Sequence, residues 1–168
     1  MLYKREYLSP VGMLIISSTE TNIVEISFVD RSSHETYDQN ENISPLTKAI
    51  AWLDNYFQGG NPCITSIPFL TSGTVFQKKI WDRLCRIPYG TTVTYGEIAN
   101  EIAKENGILK MSAQAVGQAV RKNPIGIIIP CHRVIGSNGK LTGFSGGIDK
   151  KKLLLEFEAN YAKQLGLF

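Results

Sequence analysis

The sequence predicts an α+β chain of two domains. Residues 1–70 form a small N-terminal α/β domain, an antiparallel sheet with a helix, and residues 71–168 form a mainly helical, winged helix-turn-helix-like domain carrying Cys131. Three observations support this. β-rich runs are confined to Tyr3–Val29, whereas helical spacing with capping signals recurs after the Pro-, Ser- and Thr-rich stretch Asn61–Gly73, the candidate linker. Charge divides at the same place: 1–70 hold four Lys/Arg against eight Asp/Glu (net −4), and 71–168 hold fourteen against seven (net +7). The length of 168 residues suits one large or two small domains with their own cores.

The elements follow in order. Met13–Ser17 and Ile23–Val29 are separated by Thr, Glu and Asn turn residues and predict a hairpin. Arg31–Asn42 is polar and reads as a loop. Ser44 is placed as an N-cap with Pro45 at the first helical position; Leu46, Ile50, Leu53 and Phe57 then recur at helical spacing until Gly59-Gly60. A second helix opens with the capping box Thr74/Gln77, carries Phe76, Ile80 and Leu84 on one face and stops before Pro88, with Cys85 as packing in its last turn. After the turn Pro88-Tyr89-Gly90, the capping box Thr94/Glu97 starts a helix whose apolar face is Tyr95, Ile98, Ala99 and Ile102. Asn106-Gly107 breaks it, and Ser112 caps a helix of small residues, Ala113, Ala115, Gly117 and Ala119. The pair resembles a helix-turn-helix. The small residues fit insertion of this helix into a groove or tight packing against another helix, and the sequence leaves both open. A final helix, about Asp149–Ala162, is expected to turn Leu153, Leu154 and Phe157 inward and Lys150–Lys152 outward.

Ile127–Ile135 reads I-I-I-P-C-H-R-V-I. Its length and β-branched content predict a buried strand terminated by Pro130, which places Cys131 at the end of a rigid element. A free thiol is only a few per cent ionised at neutral pH, and a neighbouring cation or base raises that fraction. His132 and Arg133 supply both. The alternative, a structural buried cysteine, fits poorly with two ionisable residues directly behind it, which need partners or a cleft.

The string from Asn123 to Gly147, N-P-I-G-I-I-I-P-C-H-R-V-I-G-S-N-G-K-L-T-G-F-S-G-G, resembles the active-site segment of the O6-alkylguanine-DNA alkyltransferases. The resemblance is close from about Phe76 to Glu158 and covers the first seventy residues in general layout. It implies direct-reversal DNA repair: irreversible, stoichiometric transfer of the alkyl group from O6-alkylguanine to Cys131. It further implies that Cys131, a water, His132 and Glu158 form the relay that generates the thiolate. Asn123 matches the asparagine that braces the turn before the cysteine. From the chemistry of the leaving group, Tyr95 is the candidate donor to the departing purine. Gly143, Phe144, Ser145 and Val120 match positions lining the base pocket. The helix of Ala113, Gln114 and Ala115, with Gln77, Arg121 and Lys122, corresponds to the DNA-binding surface, which in the family enters the minor groove without reading sequence. Two departures stand out. Gln114 replaces the arginine that fills the vacated stack, and Phe144 stands where some members have tyrosine; amide and guanidinium differ in charge and stacking.

The basic second half agrees with a polyanionic partner, double-stranded DNA, although a solvated surface gives the same count. No basic-then-apolar leader and no membrane-length apolar stretch occurs, and three cysteines without paired spacing fit a reducing cytosol, so a cytoplasmic, monomeric protein with no membrane association is expected. No cofactor is implied, and Cys63, Cys85, Cys131, His34 and His132 lack metal-ligand spacing. The rival functions are a non-catalytic helix-turn-helix DNA-binding module and a Cys-His hydrolase. Non-transferring members of the superfamily carry another residue at the cysteine position, and a hydrolase needs an oxyanion hole beside a histidine that faces the thiol.

Overall fold

The computed structural model describes residues 1–29 and 42–167; His34 and the Arg31–Asn42 loop, except Asn42, lie outside the described residues. The chain forms two compact units, one of Met1–Ser72 with Pro124–Ile128 and one of Gly73–Asn123 with Ile129–Phe168.

The first unit holds an antiparallel sheet of β1 (Tyr3–Ser9), β2 (Gly12–Ser18) and β3 (Ile23–Phe28), with β2 central. The expected hairpin, β2–β3, is thus one half of a three-stranded meander. β1 escaped the sequence reading because Lys4, Arg5 and Glu6 interrupt its apolar signal, as befits a half-exposed edge strand. It pairs with β2 along its whole length, from Tyr3 opposite Ser18 to Ser9 opposite Gly12. Helix α1 (Ser44–Phe57) packs on the sheet through Leu46, Ala49, Trp52, Leu53 and Tyr56. Its N-cap is Ile43, not Ser44: the Thr47 amide donates to the Ile43 carbonyl at 3.1 Å, closing the first turn one residue earlier and leaving Pro45 at the second position.

The outer edge of β3 is covered by two short backbone strips. The Ile23 amide donates to the Pro68 carbonyl and the Leu70 amide to the Ile23 carbonyl, both at 2.9 Å, so part of the expected Asn61–Gly73 linker is tied to the sheet. Farther along, the Ile26 amide donates to Pro124 and the Gly126 amide to Ile26, again at 2.9 Å. A Cβ on Gly126 would lie 2.9 Å from the Ile26 carbonyl oxygen, so only glycine permits this approach.

The second unit contains α2 (Val75–Leu84), β4 (Val93–Thr94), α3 (Tyr95–Glu105), α4 (Ala113–Arg121), β5 (Val134–Ile135) and α5 (Ile148–Gln164), with β4 and β5 paired in parallel. Both expected capping boxes form, Thr74/Gln77 on α2 and Thr94/Glu97 on α3, and the Ser112 hydroxyl accepts from the Ala115 amide at the start of α4. Gly107 at φ +64° ends the α3 segment, as its position after Asn106 predicts. α4 packs on α2 and α3 through Val116, Ala119 and Val120, and the Trp81 indole donates to the Ala119 carbonyl at 2.9 Å.

Two expectations fail in this half of the chain. Ile127–Ile129 are buried, at 1% exposure each, but form no strand. The Ile128 amide donates to Gly126 and the Cys131 amide to Ile129, both at 2.8 Å, and Ile127 lies at φ +68°. The segment satisfies its polar groups in tight local turns, in a conformation strained for a β-branched residue. Cys131 then opens a 3-10 turn, Cys131–Arg133. On α5, Lys151 is fully buried and Leu153 is 44% exposed, the reverse of the expected assignment. Residues 151, 154, 158 and 162 form the buried stripe, at helical spacing.

Candidate active site

Cys131 starts its 3-10 turn packed against α2 and α5, and is 5% exposed. Burial pushes its thiol above the ordinary value; the Asn123 side chain, hydrogen-bonded to it, and the Lys151 charge oppose that rise. At neutral pH the resting group is a thiol, so a base is needed. Asn123 also donates its amide to the Ile129 carbonyl at 2.8 Å, fixing the turn that presents Cys131.

His132 is fully buried, and its Nε2 lies 2.6 Å from Glu158 Oε1. Burial pulls the imidazole below its ordinary value, against the opposing pull of Glu158. Burial alone would raise the Glu158 carboxyl, yet His132 and Arg133 outweigh it and hold the group well below the usual carboxylate range. Ionised Glu158 is an acceptor only, so Nε2 carries the hydrogen, and Nδ1, buried and without a partner among the described residues, is the basic nitrogen.

Arg133 does not serve the thiol. Its Nε donates to Glu158 Oε2 and its Nη2 to Oε1, each at 2.9 Å, while Nη1 donates to the Ile87 carbonyl at 2.8 Å. The Gly90 amide adds a fourth direction of support, donating to Oε2 at 3.2 Å. One carboxylate on α5 therefore orients the histidine, balances a buried guanidinium and ties down the Pro88–Gly90 turn. The cation coupled to Cys131 is Lys151, which the sequence reading placed outward.

Lys151 Nζ donates to the Thr142 carbonyl at 2.9 Å and to Tyr95 Oη at 3.4 Å, and Tyr95 Oη donates to the same carbonyl at 2.8 Å. Burial raises the phenol above its ordinary value. Tyr95 lines a cavity of about 490 Å³ with Ala113, Gln114, Gly117, Arg121 and Gly143. Gly143 sits at φ +68°, and a Cβ there would lie 3.2 Å from Tyr95 Oη and 3.3 Å from Arg121 Nη2, so the glycine keeps this corner open. A second cavity, also about 490 Å³, flanks the other side of α4 and is lined by Gln77, Ala115, Arg121 and Lys122 among others. Gln118, which the sequence reading did not single out, lines both.

The expected residues therefore fall into groups. Cys131, His132, Glu158, Asn123 and Tyr95 belong to one linked set. Gly143, Gln114, Ala113 and Arg121 share the cavity beside Tyr95, and Gln77, Ala115 and Lys122 border the second. Val120 is 1% exposed in the core, Phe144 is half-buried, Ser145 is exposed, and none of the three lines either cavity. Lys151, Thr142 and the pairing of Arg133 with Glu158 were missed. The first had a readable signal, since Lys151, Leu154 and Glu158 lie three and four residues apart on one helical face. Among the described residues no group of His, Cys, Asp and Glu could hold a metal ion, and no helix is long and apolar enough to cross a membrane.

Comparison with known proteins bears directly on this set. The pattern described as "6-O-methylguanine DNA methyltransferase, DNA binding domain" matches residues 75–160, and "6-O-methylguanine DNA methyltransferase, ribonuclease-like domain" matches residues 2–71. The methylated-DNA--protein-cysteine methyltransferase of Haemophilus influenzae is 39% identical over 94% of this chain and 86% of its own length. The crystal structure of the Mycobacterium tuberculosis O6-methylguanine methyltransferase superposes with a TM-score of 0.77 at 36% identity, covering 100% of this chain and 99% of that one. The complex of the M. tuberculosis protein OGT with DNA gives the same TM-score, 0.77, at 36% identity over 95% of this chain and 94% of that one. With both patterns matched in sequence order and the relatives aligned nearly end to end, the chain belongs to the 6-O-methylguanine DNA methyltransferase family.

Proposed function

We propose that this protein repairs O6-alkylguanine in double-stranded DNA by transferring the alkyl group to Cys131, once per molecule. The observation that carries the reading is the buried Cys131, His132 and Glu158 set, in which a neutral histidine offers Nδ1 as base and an ionised carboxylate holds its other nitrogen at 2.6 Å. The thiol proton passes to Nδ1 through one water, because side chains of adjacent residues diverge. The thiolate attacks the alkyl carbon in line, the C–O6 bond breaks, and the purine leaves as its ring is protonated by the Tyr95 hydroxyl. A thioether has no easy path back to a thiol, so the reaction is stoichiometric.

Reaching O6 requires the base to leave the duplex, at about a few kcal/mol. The two cavities flanking α4 support a reading in which α4 lies along the minor groove and the extruded base enters the side lined by Tyr95 and Gly143. Gln114, on the exposed face of α4, would occupy the vacated stack. Arg121 and Lys122, exposed at the end of the same helix, would meet phosphates, giving binding without sequence preference. The protein acts as a monomer in a reducing cytosol, where its three free cysteines stay reduced.

Intact-mass measurement after mixing with duplex DNA containing O6-methylguanine tests this. One added methyl group per molecule, with repair stopping at one equivalent, is expected. Repair beyond one equivalent by unmodified protein indicates a hydrolase, and binding without repair a non-catalytic module.

A further inference from the structure

Gln118 is an exposed residue of α4 that lines both cavities, so it stands on the ridge between them. It lies one helical turn after Gln114, on the same face and about 6 Å farther along the axis. Neither amide has a hydrogen-bond partner among the described residues. We propose that Gln118 hydrogen-bonds the minor-groove edge of a base pair beside the extruded nucleotide, and accepts any pair there because its amide both donates and accepts. The inference rests on the repair reading above and names the side chain that grips the duplex while Gln114 fills the gap.

Three observations carry it. Apart from Gln114 and Gln118, the residues of α4 ahead of Arg121 are alanine, valine and glycine. In a groove about 7.5 Å deep, only the two amides are long and polar enough to reach hydrogen-bonding atoms on the floor. Val116, Ala119 and Val120 are buried as α4 packs on α2 and α3, which leaves the Gln114 and Gln118 face as the side open to a partner. The amide is also uncommitted in the free protein, so a bond to DNA breaks none that already exists.

The chemistry of the groove matches an amide. An A·T pair shows only acceptors there, adenine N3 and thymine O2, and a G·C pair adds the guanine N2 amine as a donor. Gln118 Nε2 donates to the first kind and Oε1 accepts from the second. A half-turn about the last torsion exchanges the two, so the contact survives a change of sequence. Base pairs rise by about 3.4 Å, so about 6 Å of helix places this contact about one or two pairs from the lesion. Duplex binding then stays indifferent to sequence although one side chain touches base edges. A carboxylate or an ammonium at the same place would have a single role and would not be indifferent.

The test replaces the amide with single-role side chains and reads the sequence preference. Two O6-methylguanine duplexes, differing only in whether the pairs flanking the lesion are G·C or A·T, compete for limiting protein. The ratio of repaired strands is divided by the wild-type ratio, which cancels the difference in duplex stability. Gln118→Glu should shift this quotient about five- to tenfold toward G·C, and Gln118→Lys about as far toward A·T. Replacing the flanking guanines with inosine, which lacks the N2 amine and keeps the major-groove edge, should erase both shifts. Quotients within about twofold of unity, a shift in one variant only, or shifts in the same direction overturn the proposal. Shifts that survive inosine arise outside the minor groove and overturn the placement of α4 as well. Both duplexes meet the same protein, so a partly unfolded variant leaves the quotient unchanged; a variant too slow to repair is read by competitive binding of the two duplexes. If the wild type repairs neither duplex, the functional reading itself fails, whereas unshifted quotients in a protein that repairs concern Gln118 alone.

Discussion

Replacing Glu158 with Gln removes one charge at constant shape, and the structure sets the consequence. The carboxylate accepts from His132 at 2.6 Å, from Arg133 at 2.9 Å on each oxygen and from the Gly90 amide at 3.2 Å. An amide keeps one acceptor and turns a donor toward donors, so a buried guanidinium loses its counter-charge. Breaking one side of a buried pair costs about 3–5 kcal/mol, and with a urea slope of about 2 kcal/mol/M that lowers the unfolding midpoint by about 1.5–2.5 M. The carboxyl is held below its unfolded value, so its stabilisation is complete above about pH 4.3 and fades as pH falls toward the folded value. The gap between wild type and Glu158→Gln should therefore narrow below about pH 4. In single-turnover assays transfer should slow about 10²-fold with DNA affinity nearly unchanged, and the rising limb of the pH-rate profile, set by ionisation of the Cys131 thiol, should shift upward because a less basic His132 draws the thiol proton less strongly. A urea midpoint within about 0.3 M of wild type together with an unchanged pH profile would refute the argument, reducing Glu158 to a dispensable contact.

Charge reversal at Arg121 or Lys122, both exposed at the end of α4, should weaken binding to all duplex sequences and reduce the slope of log affinity against log salt by at least about 1 in a titration from low to high salt. Selective loss for one sequence would point to a regulator instead. Gln114→Arg should speed repair of a base opposite its normal partner and help less on mismatched or single-stranded substrate, where less unpairing is needed. Equal slowing on every substrate would make Gln114 a packing residue of α4. Gly143→Ala places a Cβ 3.2 Å from Tyr95 Oη at a backbone φ of +68°. It should lower stability by about 1–2 kcal/mol and slow transfer, and wild-type values for both would mean that this corner does not receive the base.

The helices of the second unit were legible because their ends are written in side chains: Thr74 with Gln77, Thr94 with Glu97, and Ser112 each do what their position implies. Cys131, His132 and Glu158 were legible through family resemblance, and local chemistry alone reached only the first two. The Ile127–Ile129 run misled because apolar, β-branched composition reports burial, not hydrogen-bond geometry. These residues are buried in turns that glycine at 126 and the Asn123 amide make possible. β1 was missed for the opposite reason, its charges masking an edge strand. Residue type points Lys151 outward, although it sits on the same face as Leu154 and Glu158; a lysine whose ammonium finds a carbonyl and a phenol can be buried. Arg133 likewise follows Cys131 closely in sequence, which suggests a cation for the thiol, whereas its donors are spent on Glu158 and Ile87.

The central claim is that Cys131 is the alkyl acceptor, and the location of the added mass tests it most directly. Three free cysteines compete: Cys63 is exposed, Cys85 is half-buried with its thiol pushed up to about 11, and Cys131 is buried. Exposure alone would favour Cys63. Peptide mapping after reaction with duplex DNA containing O6-methylguanine should place the methyl group on Cys131 alone, and Cys131→Ser should bind the same DNA but gain no mass. Methylation of Cys63 or Cys85, or mass gain by the Cys131→Ser variant, would contradict the account.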